Sequence, residues 1–156
     1  AKDIGVSNKE AKHYIESYLA HYSGVDSYMK NVVEKANADG YVETMFGRRR
    51  NLPELTSSKH MIRAFGERVA RNMPIQGTAA DIIKIAMIKV DERMKAENLR
   101  ARLVLQVHDE LIVEAPQDES MRVALIVQEE MENAVKMSVP LTADAAIGRT
   151  WYDAKG

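Results

Sequence analysis

The chain has 156 residues, 46% hydrophobic and 29% charged, with a formal net charge of -1, and that length buries a core without a metal or disulfide staple. It has no cysteine, which excludes a disulfide scaffold, a thiolate zinc site and a cysteine nucleophile and makes a reducing compartment the default. No apolar run approaches the roughly 18 residues of a membrane span, and Ala1-Lys2-Asp3-Ile4-Gly5 has neither the charged start nor the apolar stretch of a signal peptide.

Ser7-Asn8-Lys9-Glu10 fits a capping box, a small hydroxyl followed three residues later by Glu. The spacing predicts a helix from about Asn8 to His21 with Tyr14, Ile15, Tyr18 and Leu19 on one face. After the Ser23-Gly24 break, Tyr28, Met29, Val32, Val33 and Ala36 predict a second helix from Val25 to Ala38. Asp39-Gly40 ends it, with glycine where a left-handed cap is wanted. Tyr41 to Phe46 alternates and is rich in strand formers, Gly47-Arg48 can turn it back toward Arg49 to Leu52, and Pro53 stops it.

A helix from about Lys59 to Asn72 is expected to break before Pro74, because the residue preceding proline avoids helical geometry. A long helix from Gln76 to Ala96 follows, with Ala80, Ile83, Ala86, Met87, Val90 and Met94 as its buried stripe. Ala101 to Val107 and Leu111 to Ala115 are apolar and β-prone and flank His108-Asp109-Glu110, which reads as a hairpin with a polar tip. A helix of about 118–136 and a third strand from Leu141 to Ile147 complete the pattern. The fold class is α+β: helices first, then a small antiparallel sheet (the hairpin plus a third strand) backed by helices.

The near-zero net charge hides a division. Residues 47–100 carry twelve Lys and Arg against six acidic residues, and residues 101–156 carry five against ten. A basic middle beside an acidic end suits two charge-specialised surfaces, or simply solvated helix faces.

Three stretches bear on chemistry. Hairpin turns favour Asp, so the tip can be a plain turn, but the usual turns pair Asn or Asp with Gly. His108-Asp109-Glu110 instead concentrates an imidazole and two carboxylates, and hard divalent cations such as Mg²⁺ take carboxylate oxygens. Two-metal phosphoryl transfer needs carboxylates converging from different elements, so a partner for this tip must come from elsewhere. Arg68 and Asn72 are four apart and share a helix face, with Gln76 following across Pro74. These are polar surface residues, or donors that reach base-edge acceptors in a nucleic-acid groove. Gly77 with Thr78, Ala79 and Ala80 permits close backbone approach, tight internal packing being the preferred reading. Arg48-Arg49-Arg50 can meet phosphates or form a solvated turn. Tyr14, Tyr18, Tyr22 and Tyr28 stand at helical spacing, which favours packing over base stacking. His13, His21 and His60 form no ligand spacing, and there is no P-loop, dinucleotide-type glycine fingerprint or Gly-x-Ser-x-Gly elbow.

Gln106-Val107-His108-Asp109-Glu110-Leu111 resembles the C motif of the family A DNA polymerases, the bacterial DNA polymerase I type. Gly40-Tyr41-Val42-Glu43-Thr44 with Gly47-Arg48-Arg49 resembles a fingers segment of that family. Glu67-Arg68 through Asn72, Pro74 and Gln76-Gly77-Thr78-Ala79-Ala80-Asp81 resembles the stretch that enters the palm, and Trp151-Tyr152-Asp153-Ala154 resembles the family's C-terminus. The resemblance covers essentially the whole chain, in order.

It implies residues 1–75 as a partial fingers subdomain and 76–156 as the C-terminal part of the palm. It implies Asp109 as a catalytic carboxylate coordinating Mg²⁺, and Glu110 as its acidic neighbour in a secondary role. Arg68, Asn72 and Gln76 match positions that contact the primer–template duplex from the minor groove, and His108 matches a residue near the primer terminus. Partners so implied are primer–template DNA, a deoxynucleoside triphosphate, and the N-terminal palm, thumb and fingers-helix segments, whose motifs do not occur here. The implied location is bacterial, cytoplasmic and nucleoid-associated, with no membrane. The expected function is the C-terminal portion of a DNA-directed DNA polymerase, inactive as an isolated chain because the second essential aspartate belongs to a missing segment. The alternatives are a non-catalytic duplex-DNA-binding fragment and a folded piece that binds nothing.

Overall fold

The computed structural model describes residues 5–155. Residues 1–4, part of the stretch read as lacking a leader, lie outside them. The chain divides into two compact units, residues 1–77 and 78–156.

In the first unit, α1 (Asn8–His21) starts on the expected capping box. The Ser7 hydroxyl accepts from the Glu10 backbone N–H at 3.2 Å, and the Glu10 carboxylate accepts from the Ser7 N–H at 2.9 Å. Those Ser7 hydrogen bonds hold the Glu10 carboxyl below its usual range. The helix α2 runs Ser23–Asp39, two residues longer at its start than the spacing indicates, and ends at Gly40 with φ +77°. The packing expected of the tyrosines does not occur: α1 buries no residue, and Tyr14, Tyr18, Tyr22 and Tyr28 are each about half exposed. Tyr18 and Tyr22 lie against each other instead, ring centroids 4.8 Å apart.

Strands β1 (Tyr41–Glu43) and β2 (Arg49–Asn51) pair antiparallel with Val42 opposite Arg50. Buried Thr44 holds the connection, its hydroxyl accepting from the Phe46 and Arg48 backbone N–H groups at 3.2 Å each. A 3₁₀ turn at Pro53–Thr56 follows. The core of this unit gathers Ala36, Val42, Leu52, Leu55 and Ala70, with Met73 packed against it.

The expected break before Pro74 is corrected by the structure. A single helix, α3, runs His60–Ala96 with Pro74 inside it. Proline in a helix interior forfeits one hydrogen bond and costs about 3 kcal/mol. Here Ala70 and Met73, in the turn just before it, are committed to the core, and burial of that turn outweighs the local preference. Gly77 sits where a side chain has no room, since an added Cβ would lie 2.7 Å from Thr44 Cγ2. Gly→Ala in a helix interior ordinarily gains about 0.5–1 kcal/mol. Gly77→Ala is expected instead to lose about 1–3 kcal/mol by overpacking a buried threonine, read as a lower urea midpoint. A raised midpoint would mean that Thr44 moves aside freely.

In the second unit, Ile83, Ala86, Val90 and Met94 of α3 are buried as expected. Ala80 is exposed, and Thr78 and Asp81 are buried beside the stripe. Strands β3 (Arg102–Val107) and β4 (Glu110–Glu114) form the hairpin, with an irregularity between Leu103 and Leu105. The helix α4 covers Ser120–Glu132, shorter than 118–136, and stops where the Asn133 side chain donates to the Glu129 carbonyl at 2.8 Å. Val90, Met94, Val123 and Ile126 form the core beneath the hairpin.

The third strand does not form. Residues 141–147 have no ladder partner, and the hairpin is a two-stranded sheet. Three alanines and an aspartate in that segment favour a strand weakly, and the Ala143 N–H donates to the Glu132 carboxylate at 3.2 Å instead. A short C-terminal helix, α5 (Trp151–Ala154), adds to the expected elements. The mixed α+β class stands, as helices with two small antiparallel hairpins.

Part of the charge asymmetry cancels inside this unit. Arg93 bonds Glu129 and Glu130 at 2.6 and 2.7 Å, Arg122 bonds Glu97 at 2.5 Å, and Arg100 bonds Glu119 at 2.8 Å as well as Asp118. Donating to the Glu130 and Glu129 carboxylates pushes the Arg93 guanidinium further up, and the bond from Arg122 pulls the Glu97 carboxyl down. Arg93 of α3 and Arg100 just beyond it are thus spent on acidic residues of the following segment, while Arg122 of α4 pairs back to Glu97.

Candidate functional site

The hairpin tip is tighter than its sequence indicates. Val107 pairs with Glu110, leaving His108 and Asp109 as a two-residue turn. Glu110 is therefore the first residue of β4 and not part of the loop. His108 takes φ +53°, a left-handed conformation that costs a residue with a Cβ about 1–2 kcal/mol. Such turns match the twist of the flanking strands. The Gln106 side chain helps hold it, donating from Nε2 to the His108 carbonyl at 2.6 Å.

This geometry separates two adjacent carboxylates. Asp109 is exposed, and its side chain makes no hydrogen bond or ion pair among the described residues. Glu110 is half-buried. Its Oε1 lies 3.3 Å from Lys155 Nζ, and its Oε2 is buried without a hydrogen-bond partner. The His108 ring is exposed at the same tip.

The second group of expected residues lies on α3. Arg68, Asn72 and Gln76 are all exposed, and because the helix continues through Pro74 they fall on successive turns of one face. Met61 and Phe65 continue that exposed face toward the helix start. The Arg68 guanidinium stands 5.8 Å from the Phe65 ring and has no ion-pair partner among the described residues. Its neighbour Arg71 is engaged with Glu67 at 3.3 Å. Of the three adjacent arginines, Arg49 is committed within the unit, 3.2 Å from Glu43 and 4.4 Å from the Tyr41 ring. Arg50 is exposed.

The stripe Arg68–Asn72–Gln76 and the tip His108–Asp109–Glu110 belong to different compact units. Two participants escape a reading of the sequence, Gln106 and Lys155. The Gln106 bond is local, but nothing in its spacing distinguishes it from a strand residue. Lys155 meets Glu110 across 45 positions, and no periodicity predicts that.

The oxygen donors at the tip are of the kind that Mg²⁺ takes. Their number is short of a complete site, since no three His, Cys, Asp or Glu side chains cluster closely enough to hold an ion among the described residues. The residues present therefore fit one side of a divalent site. No helix among the described residues is long and apolar enough to cross a membrane.

Known proteins resemble this chain in sequence and fold. The family model described as DNA polymerase family A matches residues 1–153. The chain is 53% identical over 155 residues to DNA polymerase I of Bacillus caldotenax and 52% identical to that of Geobacillus stearothermophilus. In each case the match covers 99% of this chain but 18% of the relative, so the chain spans less than a fifth of those proteins. The structure is also similar to the POL domain of Pol1 from M. smegmatis, solved in complex with DNA primer-template and dNTP. That similarity has a TM-score of 0.95 at 46% identity and covers 100% of this chain and 28% of that one. The motifs quoted from the sequence, the mixed helical and hairpin fold and a family match over nearly every residue agree: the chain belongs to DNA polymerase family A.

Proposed function

We propose that this chain is the fingers-and-palm portion of a DNA-directed DNA polymerase that carries out template-directed, Mg²⁺-dependent nucleotidyl transfer when complete. Residues 1–75 are the partial fingers subdomain and 76–156 the C-terminal part of the palm. One observation carries the reading: in a chain of this family, Asp109 stands exposed and uncommitted at the end of a rigid two-residue hairpin turn. Asp109 would hold the divalent cation there, with the remaining donors supplied by segments outside this chain. A cation so held supplies charge stabilisation at the reacting oxygens. Glu110 lies beside it in a secondary role, and His108 faces the primer terminus. By itself the chain carries one side of the cation site, so the 156 residues do not extend a primer. Extension by the purified chain that disappears in Asp109→Ala would overturn that expectation.

Arg68, Asn72 and Gln76 bind the minor groove of the primer–template duplex. Minor-groove acceptors are similar in all correct base pairs, so donors on one helix face test pair shape without reading sequence. The incoming deoxynucleoside triphosphate meets the tip of the hairpin, and the setting is the bacterial cytoplasm at the nucleoid. Anisotropy of a labelled primer–template duplex, titrated across a salt series, tests the binding face in the full-length protein that carries this segment. Arg68→Ala is expected to weaken binding by about 1–3 kcal/mol and to flatten the salt dependence by about one counterion. Because Arg68 makes no ion pair among the described residues, stability should stay unchanged. Equal affinity for the two proteins at every salt concentration would remove Arg68 from the interface.

A further inference from the structure

The two carboxylates at the hairpin tip are treated differently by the rest of the unit, and the difference traces to the C-terminal turn. The helix α5 is built, not merely trailing. The Thr150 hydroxyl accepts from the Asp153 N–H at 3.2 Å, and the Asp153 carboxylate accepts from the Thr150 N–H and hydroxyl at 3.1 and 2.8 Å. Gly148 packs flat against the same turn, where an added Cβ would lie 2.5 Å from the Ala154 nitrogen. Lys155 leaves this turn with its Nζ 5.1 Å from the Trp151 ring centroid, four residues back, and reaches Glu110 Oε1 at 3.3 Å. Tryptophan is the strongest cation–π platform, so both the ring and the carboxylate hold the ammonium.

We propose that Lys155 is a positioning residue that engages Glu110 through this ion pair and leaves Asp109 as the carboxylate free to take the divalent cation. The inference rests on the reading of Asp109 as the cation ligand and deepens it. Without that partner the Glu110 Oε1 would be a second carboxylate oxygen open to an arriving cation. With Lys155 in place, one oxygen of Glu110 is engaged by the ammonium and its second oxygen stays packed away, so the cation meets a single ligand of defined orientation. Lys155 acts through Glu110 and needs no contact with substrate.

The test is Mg²⁺ titration of the isotope-labelled 156-residue chain, followed at the Asp109 and Glu110 backbone amides and the Trp151 indole by NMR. Trp151 is the sole tryptophan, so its indole signal reports the C-terminal turn without ambiguity. In the wild-type chain Mg²⁺ should move the Asp109 amide and leave the indole in place. Lys155→Ala should bind Mg²⁺ about two- to fivefold more tightly, the range set by an exposed ion pair, with the Glu110 amide now moving as well. Lys155→Arg should restore the wild-type pattern. In a Glu110→Gln background, Lys155→Ala should change nothing, which separates release of Glu110 from the simple loss of a nearby positive charge. Unchanged affinity in Lys155→Ala, or the same gain in the Glu110→Gln background, overturns the positioning role while Asp109→Asn still abolishes Mg²⁺ binding. If Asp109→Asn binds Mg²⁺ as the wild type does, the cation reading of Asp109 fails, and the inference fails with it.

Discussion

Replacing Asp109 by Asn in the full-length protein is expected to lower the single-turnover rate of primer extension at least a hundredfold, about 2.7 kcal/mol of barrier. Duplex affinity should change by less than about threefold. The substitution keeps the shape of the side chain and removes its charge. Asp109 is exposed in a turn and makes no side-chain bond among the described residues, so the fold gives up nothing when the charge goes. Any loss of rate then belongs to chemistry and not to stability, and matching melting temperatures for the two proteins would check this directly. Arg68→Ala should show the opposite signature, with weakened affinity and a nearly unchanged rate at saturating duplex. A rate for Asp109→Asn within tenfold of wild type would remove Asp109 from the cation site.

The largest effect on stability is expected at Ile126. It is fully buried in the core of the second unit, among Val90, Met94 and Val123, under the hairpin that carries the tip. Truncating a buried isoleucine to alanine removes transfer free energy and leaves a cavity, together about 2–5 kcal/mol. Ile126→Ala should lower the urea midpoint of the chain accordingly. Leu125→Ala is the control: Leu125 is the adjacent residue on the same helix but is 45% exposed, and it should cost well under half as much. Equal losses at the two positions would mean that α4 does not pack as described.

Much of the fold is legible in the order of the residues. The capping box at Ser7 and Glu10, the left-handed stop at Gly40, the hairpin around Gly47 and the buried positions Ile83, Ala86, Val90 and Met94 all follow from local rules acting over a few residues. The motif resemblance reaches the family through ordered short stretches, chiefly Gln106 to Leu111 and Glu67 to Asp81. The failures share one cause. Pro74 reads as a break because its local cost is visible in sequence, while the burial of Ala70 and Met73 that offsets it is not. Residues 141–147 read as a third strand, yet a strand exists only with a partner to complete its ladder. The tyrosines of α1 read as core because helical spacing signals a common face, but spacing says nothing about whether anything covers that face.

By itself the sequence determined the residue types, the helical and strand periodicities and the family, because each is written in short-range order along the chain. Only the tertiary structure decided which of the charges are spent. Arg93, Arg100 and Arg122 are taken up in ion pairs with acidic partners 18 to 37 positions away, and Arg68 is not, among the described residues. Asp109 stays uncommitted while Glu110, its immediate neighbour, is tied to Lys155. Charge and hydrogen-bonding capacity belong to the residue. Whether they remain available depends on which distant groups the fold brings within about 3 Å.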